Sequence, residues 1–181
     1  MYSLFTVACL RVVLGLVTAG SPAQIDAVFE AGLFPPLIAL FPRSTSVIQR
    51  EVCFVFRNAV HGATRFQLQR LFDLGFLPAL CSLLQSDSPT SSLTVALDCI
   101  EHMLSGTTDV MPKLHRDALQ QIEKCNGRVA LQSVASSETE VEVREQAAGI
   151  LEFFPRGQEE EEANSNAAAT FSEDGDEGQS Q

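Results

Sequence analysis

The sequence predicts an all-α solenoid of stacked helical repeats, and two observations support this prediction. First, the segment GLFPPLIALF from Gly32 recurs 43 residues later as GFLPALCSLL from Gly75, and a fainter copy, VALQSVA, surrounds Leu131. Second, apolar residues follow the i, i+3, i+4, i+7 spacing of helices that bury one face. Helical repeats of about 40–47 residues are typical of armadillo or HEAT units. We therefore expect the functional surface to be one face of a stack and not an enclosed pocket.

Each repeat is predicted to contain two shorter helices followed by a longer one, and the apolar positions set the long helices in register. Steps of 43, 44 and 51 residues relate four sets of positions, and all sixteen residues are apolar. We expect these sets to form the buried faces: Cys9, Val12, Val13 and Leu16; Val52, Val55, Phe56 and Ala59; Ala96, Cys99, Ile100 and Met103; Ala147, Ile150, Leu151 and Phe154.

Proline and glycine indicate the ends of the elements. Ser21-Pro22 is expected to open a helix, because proline is harmless in the first turn. Asp87-Ser88-Pro89 separates two predicted helices, and further prolines lie near the starts of the second helices, at Pro35, Pro36 and Pro78. We expect glycines at the ends of the long helices, namely Gly20, Gly62 and Gly106. The longer last step predicts a loop insertion between Gly106 and Pro112.

Two regions are predicted: armadillo repeats over residues 1–154, about three full repeats plus a partial first one, and a disordered acidic tail over 155–181. The tail holds eight acidic residues and one arginine and almost no large apolar group. Such a segment cannot offset its ordering entropy by burial. The chain opens inside an apolar long helix without a preceding partner, which favours a fragment of a longer solenoid over a chain that borrows a covering partner.

Composition excludes several classes of function. A net charge of −11 disfavours nucleic acid and anionic membranes as partners. The five cysteines form no CxxC pair and favour a reducing compartment, packed as small apolar groups. The apolar N-terminus lacks a basic segment and is interrupted by Arg11, which argues against a secretory signal.

The sequence shows no grouping of residues that indicates a catalytic, metal-binding or phosphate-binding site. Cys99 and His102 share a helix without a third ligand at metal spacing, and the glycines end helices instead of forming a phosphate-binding loop. We therefore expect no enzyme activity, no cofactor and no metal site.

One row of polar and aromatic residues is expected to face a shared groove. Arg50, Phe54 and Asn58 lie at i, i+4 and i+8, opposite the buried face of their helix. The register places Arg11 and Gly15, Asp98 and His102, and Gly149 and Phe153 at the positions corresponding to Phe54 and Asn58.

This row has the chemistry of a peptide-binding surface. An Asn amide bonds both a donor and an acceptor of an extended backbone, and an aromatic ring holds a Lys or Arg side chain. Glu51, Asp98 and Glu101 would add attraction for a basic peptide. The alternative is that Phe54 is a core residue and Asn58 is ordinary polar surface.

At these residues the chain resembles the importin-α family. The resemblance covers about Leu10 to Phe154 and is carried by surfaces and loops as well as core positions, in the segments LRVVLGLVTAGSPAQ, QIDAVFEAGLFPPLIALF, QREVCFVFRNAVHGAT, LGFLPALCSLLQSDSPTSSLTVALDCIEHML and IEKCNGRVALQSVASSETEVEVREQAAGILEFF. It implies a right-handed superhelical armadillo solenoid made of the family's C-terminal repeats. It also implies that Lys/Arg-rich nuclear localisation signals bind along a concave groove, in the cytoplasm and nucleus.

The resemblance assigns roles to individual residues. Phe54 stands at a Trp position of the family's Trp–Asn pairs and Asn58 at its Asn, while Arg50 and Glu51 match the residues just before that pair. Arg11 matches an arginine beside the family's minor signal site, and Asp98 matches an acidic residue. Gly15 and His102 replace family asparagines, which removes two backbone clamps.

The resemblance also concerns partners. The basic segment that engages importin-β is absent here, as is the principal signal site. The last repeats match those that in the family contact the nuclear export receptor for importin-α. Three hypotheses follow: a nuclear import adaptor fragment, an armadillo scaffold or degenerate paralogue that binds another protein without import activity, and an enzyme, which would need a convergent polar site.

Overall fold

A computed structural model describes residues 4–17, 21–85, 89–137 and 139–155. Within these ranges the chain folds into ten α-helices and one short 3-10 helix, η1, and has no strand. The elements are α1 (Leu4–Val17), α2 (Pro22–Glu30), α3 (Phe34–Leu40), η1 (Phe41–Arg43), α4 (Ser46–Gly62), α5 (Arg65–Asp73), α6 (Phe76–Leu84), α7 (Thr90–Ser105), α8 (Pro112–Lys124), α9 (Gly127–Ala135) and α10 (Val141–Leu151).

The helices form the predicted repeats of two shorter helices followed by a longer one. The triplets are α2–α3–α4, α5–α6–α7 and α8–α9–α10, and α1 stands before them as a single long helix. The long helices α1, α4, α7 and α10 pack side by side, and the second helices α3, α6 and α9 form a layer behind them. The predicted tail, residues 155–181, lies almost wholly outside the described residues.

The core runs between these layers. The predicted faces of α4 and α7 are fully buried, and Ala147, Ile150 and Phe154 are buried in the last repeat. Phe56 links neighbouring repeats because its ring packs edge-to-face on those of Phe41 and Phe76. The ring centroids are 5.7 Å and 5.1 Å away, respectively. Edge-to-face contacts between buried rings add about 0.5–1.5 kcal/mol each beyond the burial of apolar area.

The buried face predicted for α1 is wrong. Cys9 is exposed and Val12 is 65% exposed, whereas Leu10 and Val17 are buried. The physical reason is that α1 packs mainly on α2 and α4, while Cys9 lines a cleft between α1 and α3 instead of a packed interface. Val13 is half-buried, and the side chain of Leu16 lies outside the described residues.

Left-handed backbone occurs at the turn between the first and second helix of each repeat. The φ angles are +65° at Gly32, +82° at Gly75 and +59° at Asn126. Glycine adopts this conformation without steric cost, and asparagine is among the residues that tolerate it best. Gly62 and Gly106 lie at the ends of α4 and α7 as predicted, but neither is left-handed. Gly20 lies outside the described residues.

The extra length of the last repeat is shared between a loop and a helix. Residues 106–111 connect α7 to α8, and α8 has 13 residues where α2 and α5 have 9 each. Thr107 anchors the loop because its buried hydroxyl bonds the Met103 carbonyl at 2.8 Å. The loop predicted between Gly106 and Pro112 is therefore confirmed, and the rest of the extra length lies in α8.

In the described ranges, no helix taken alone combines the length and apolarity needed to cross a membrane. One bent pair, Pro22–Glu30 with Phe34–Arg43 at 78°, meets that test on length and composition.

Replacement of Phe56 should show how much of the stability rests on the contact between repeats. Phe56→Ala removes a fully buried ring that packs on two others, so we expect a loss of about 3–5 kcal/mol in the free energy of unfolding. The matched control is Phe66→Ala, because Phe66 is 70% exposed. Urea denaturation followed by circular dichroism measures both, and equal losses in the two variants would contradict this core.

Candidate functional site

The candidate site is a row of polar side chains across the long helices, which we call the long-helix face. Cross-helix contacts define it: Arg11 to Glu51, Arg57 and His61 to Asp98, and Gln146 to Glu101, with His102 stacked on His61. Each contact joins one long helix to the next. The face therefore exists only because the repeats stack in register.

The middle of the face is formed by α4. At 3.6 residues per turn, Arg50, Phe54, Arg57 and His61 fall within about 60° of one another around the helix, and Asn58 lies about 40° beyond the side of this sector that Phe54 occupies. Arg50 is exposed, Phe54 is half-buried against the core, and Asn58 is half-buried. No hydrogen bond to another described residue occupies the Asn58 carboxamide. Phe54 thus offers part of its ring and Asn58 its amide to a ligand.

An ion pair closes the side of this row that faces α1. Arg11 Nη2 lies 3.5 Å from Glu51 Oε1, and the exposed fractions of the two side chains are 67% and 9%. A nearly buried carboxylate is stable only with such a partner. Glu51 is therefore covered by Arg11 and does not project into solvent.

A second cluster closes the side that faces α7. Asp98 Oδ2 accepts a hydrogen bond of 2.9 Å from Arg57 Nε and lies 2.9 Å from His61 Nε2. Both contacts use the same oxygen, so Asp98 Oδ1 is left without a partner among the described residues. The carboxylate is 27% exposed and keeps one acceptor for a ligand.

The two histidines of this cluster are stacked. The ring centroids of His61 and His102 are 4.1 Å apart with an interplanar angle of 29°. Partial burial and the positive charge of His61 lower the pKa of His102 below its ordinary value of 6.5, while Asp98 and Glu101 act in the opposite direction. Near neutral pH the His102 imidazole is therefore uncharged, with one ring nitrogen that donates and one that accepts a hydrogen bond.

At the last repeat the long-helix face is polar, and its contact between helices is a hydrogen bond to an amide instead of an ion pair. Gln146 on α10 donates to Glu101 Oε2 at 3.2 Å, and Glu101 is exposed. Gly149 is half-buried, and Phe153 is half-buried with its ring 6.0 Å from His115. Neither Gly149 nor Phe153 reproduces the aromatic and amide pair of α4.

The structure brings together most of the residues that the sequence singled out, but it changes their electrostatics. Glu51 and Asp98 were expected to attract a basic peptide, and each is already paired with a cation of the chain itself. Sequence reasoning missed Arg57, His61 and Gln146 as members of the face. The helical period that places Arg50 and Phe54 together also places Arg57 and His61 beside them, so this signal was present in the sequence.

Among the described residues, no group of three or more His, Cys, Asp or Glu side chains is placed to hold a metal ion. A cleft of about 440 Å³ lies away from the long-helix face, between α5 and the start of α8, lined by residues that include Gln69, Asp73 and Asp117. The described residues of the long-helix face offer hydrogen-bonding and charged groups.

Comparison with curated proteins gives one relevant match. Importin subunit alpha-4 of Arabidopsis thaliana is 31% identical over 164 residues, which cover 86% of this chain and 30% of that protein. The chain thus spans less than a third of the relative's length. No family model matches the chain.

Comparison with solved structures supports the fold. The designed armadillo repeat protein YIII(Dq)4CqI superposes with a TM-score of 0.66 at 23% identity, over 83% of this chain and 58% of that one. A related design, solved in complex with the peptide (KR)4, gives a TM-score of 0.50 at 18% identity, over 94% of this chain and 86% of that one. The prediction of an all-α armadillo solenoid is confirmed.

Titration of His102 should reveal the effects of its partial burial and of the neighbouring His61. The lowered pKa of His102 means that the unfolded chain takes up a proton below pH 6.5 before the folded chain does. Stability therefore falls as the pH drops from 6.5 through the pKa of the folded state. NMR titration of His102 should give a pKa below 6.5, and His61→Gln should raise it by removing the neighbouring charge.

The control for this titration is His115→Gln, which changes a histidine on α8 and should leave the His102 pKa unchanged. A wild-type His102 that titrates at or above 6.5, or a His61→Gln variant that does not move it, would contradict the stacked arrangement.

Proposed function

We propose that this chain, an importin-α-like armadillo-repeat protein, binds extended Lys/Arg-rich nuclear localisation signals on its long-helix face. In this proposal it acts as an adaptor in protein import into the nucleus and is present in both the cytoplasm and the nucleus. Its function is binding, and no step of it requires catalysis or a cofactor. The last repeats are proposed as the contact for the nuclear export receptor of importin-α.

The observation that carries the proposal is the pairing of Phe54 with an unoccupied Asn58 amide on α4. The two side chains lie one turn apart, so a peptide running across the long helices meets both. The carboxamide bonds the peptide backbone, and the exposed part of the Phe54 ring packs on the stem of a Lys or Arg. This arrangement selects an extended backbone with long side chains.

A basic side chain also finds an acceptor on α7. Asp98 Oδ1 is free of contacts within the described residues, although Oδ2 is bound by Arg57 and His61. An incoming ammonium or guanidinium group bonds Oδ1 without displacing Arg57. Exposed Glu101, one turn further along α7, adds a second carboxylate. The designed armadillo relative in complex with (KR)4 supports this choice of ligand class.

The second candidate is an armadillo scaffold that binds another protein partner and has no import activity. This candidate is favoured because the cations of the ion pairs on the long-helix face are more exposed than the carboxylates. Arg11 and Arg57 are 67% and 48% exposed, whereas Glu51 and Asp98 are 9% and 27% exposed. A ligand that approaches α4 therefore meets cations before carboxylates, which suits a partner that carries acidic groups.

Binding of a Lys/Arg-rich localisation-signal peptide tests the first candidate. Fluorescence anisotropy with a labelled peptide should show weak binding that falls as salt rises from low to physiological concentration, because the attraction is between exposed charges. Asn58→Ala removes the backbone clamp, which is worth about 1 kcal/mol, so the affinity should drop about fivefold.

The matched control for this measurement is Gln120→Ala, which removes an exposed carboxamide from α8 and should leave the affinity unchanged. Absence of binding at low salt, or equal affinities for the wild type and Asn58→Ala, would exclude the adaptor proposal for this face. Tighter binding of an acidic peptide than of the basic one would favour the scaffold.

A further inference from the structure

Two cysteines from neighbouring repeats meet beneath the turn between α8 and α9. Cys81 is buried on α6, and Cys125 is half-buried directly after α8. The Cys81 sulfur fills the space that a side chain on Gly127 would need, since a Cβ there would lie 2.6 Å from Cys81 Sγ. Gln85 Nε2, one turn further along α6, donates to the Cys125 carbonyl at 2.8 Å. The end of α6 is thereby held against residues 125–127.

The two thiols are not equivalent. The neighbouring Cys81 thiol lowers the pKa of Cys125 to about 7, against the opposing effect of burial, and the Cys125 S–H donates to the Ile122 carbonyl at 3.3 Å. The backbone N–H groups of Gly127 and Cys125 also favour the thiolate, at the N-terminal end of α9. The interaction with Cys125, together with burial, raises the pKa of Cys81. Cys125 is therefore the more acidic thiol of the pair, and it lies on the accessible side of Cys81.

The other cysteines lack this arrangement. Burial raises the pKa of Cys53 to about 12 and raises that of Cys99, so both stay protonated and inert. Cys9 is exposed on α1, far along the stack from the end of α6. Within the described chain, Cys125 alone combines partial exposure, stabilisation of its thiolate and a second thiol in contact.

We infer that Cys125 is a modification site for hydrogen peroxide and that Cys81 is its resolving partner. The Cys125 thiolate attacks one peroxide oxygen, the O–O bond breaks, and the leaving hydroxide takes up a proton to form water. The Cys81 sulfur then attacks the Cys125 sulfenic acid, a disulfide forms, and a second water leaves with the Cys81 proton. Two thiols are oxidised by two electrons in total, and one peroxide is reduced to two waters.

The product would be a covalent link between the second helix of one repeat, α6, and the turn that precedes the second helix of the next repeat, α9. A reducing compartment does not exclude it, because redox-sensing disulfides there are transient. The oxidised chain therefore has two repeats locked in their native register, without any change on the long-helix face.

Peptide mapping of the full chain after treatment with hydrogen peroxide tests this inference directly. Mass spectrometry under non-reducing conditions should find the peptides containing Cys81 and Cys125 joined, with the loss of two hydrogen atoms, and a reductant should reverse the link. In Cys81→Ser, a sulfenic-acid trapping reagent such as dimedone should label Cys125. In Cys125→Ser, no disulfide to Cys81 should form.

The control is Cys9→Ser, which removes the exposed thiol of α1 and should leave the Cys81–Cys125 link unchanged. Because the wild-type map needs no variant, a variant that fails to fold does not weaken the test. Oxidation of Cys9 ahead of Cys125, or the absence of a Cys81–Cys125 disulfide in the wild type, would overturn the inference.

Discussion

The burial of one face of each long helix is the constraint on which the rest of the structure depends. In α4 that face holds Val52, Val55, Phe56 and Ala59, all fully buried, and the same positions are buried in α7. Because a helix is rigid around its axis, fixing the buried face also fixes which side chains point to solvent. Phe54 and Asn58 lie on the long-helix face for this reason, and a slip of one residue in the register would remove them from it.

The stacking of long helices also creates the electrostatics of that face. Each charged pair of the face joins residues about 40 positions apart in sequence, on long helices of different repeats. The pairs are Arg11 with Glu51, and Arg57 and His61 with Asp98. Exposed ion pairs contribute little to stability, in the range of 0–1 kcal/mol. In the proposed function their larger effect is on recognition, because they leave Asp98 Oδ1 as the acceptor without a partner among the described residues and make the exposed charge around α4 positive.

The sequence was most informative where periodic burial decides the structure and least informative where single contacts do. The apolar register predicted the faces of α4 and α7 and the order of the helices, but it placed Cys9 and Val12 inside, since periodicity does not report whether a neighbouring helix is there to cover them. The left-handed turns at Gly32, Gly75 and Asn126 were not predicted, and at Asn126 the glycine found in the other two repeats is replaced. The pairing of Glu51 and Asp98 depends on side-chain reach across helices, which spacing alone does not give.

A crystal structure of the chain with a Lys/Arg-rich peptide tests the central claim most directly, since the claim is that the stacked long helices present one shared binding face. The account predicts an extended peptide that crosses α4 and α7, with the Asn58 carboxamide bonded to its backbone and a basic side chain at Asp98 Oδ1. A peptide bound instead on the layer of α3, α6 and α9, or held only by residues beyond Pro155, would contradict it.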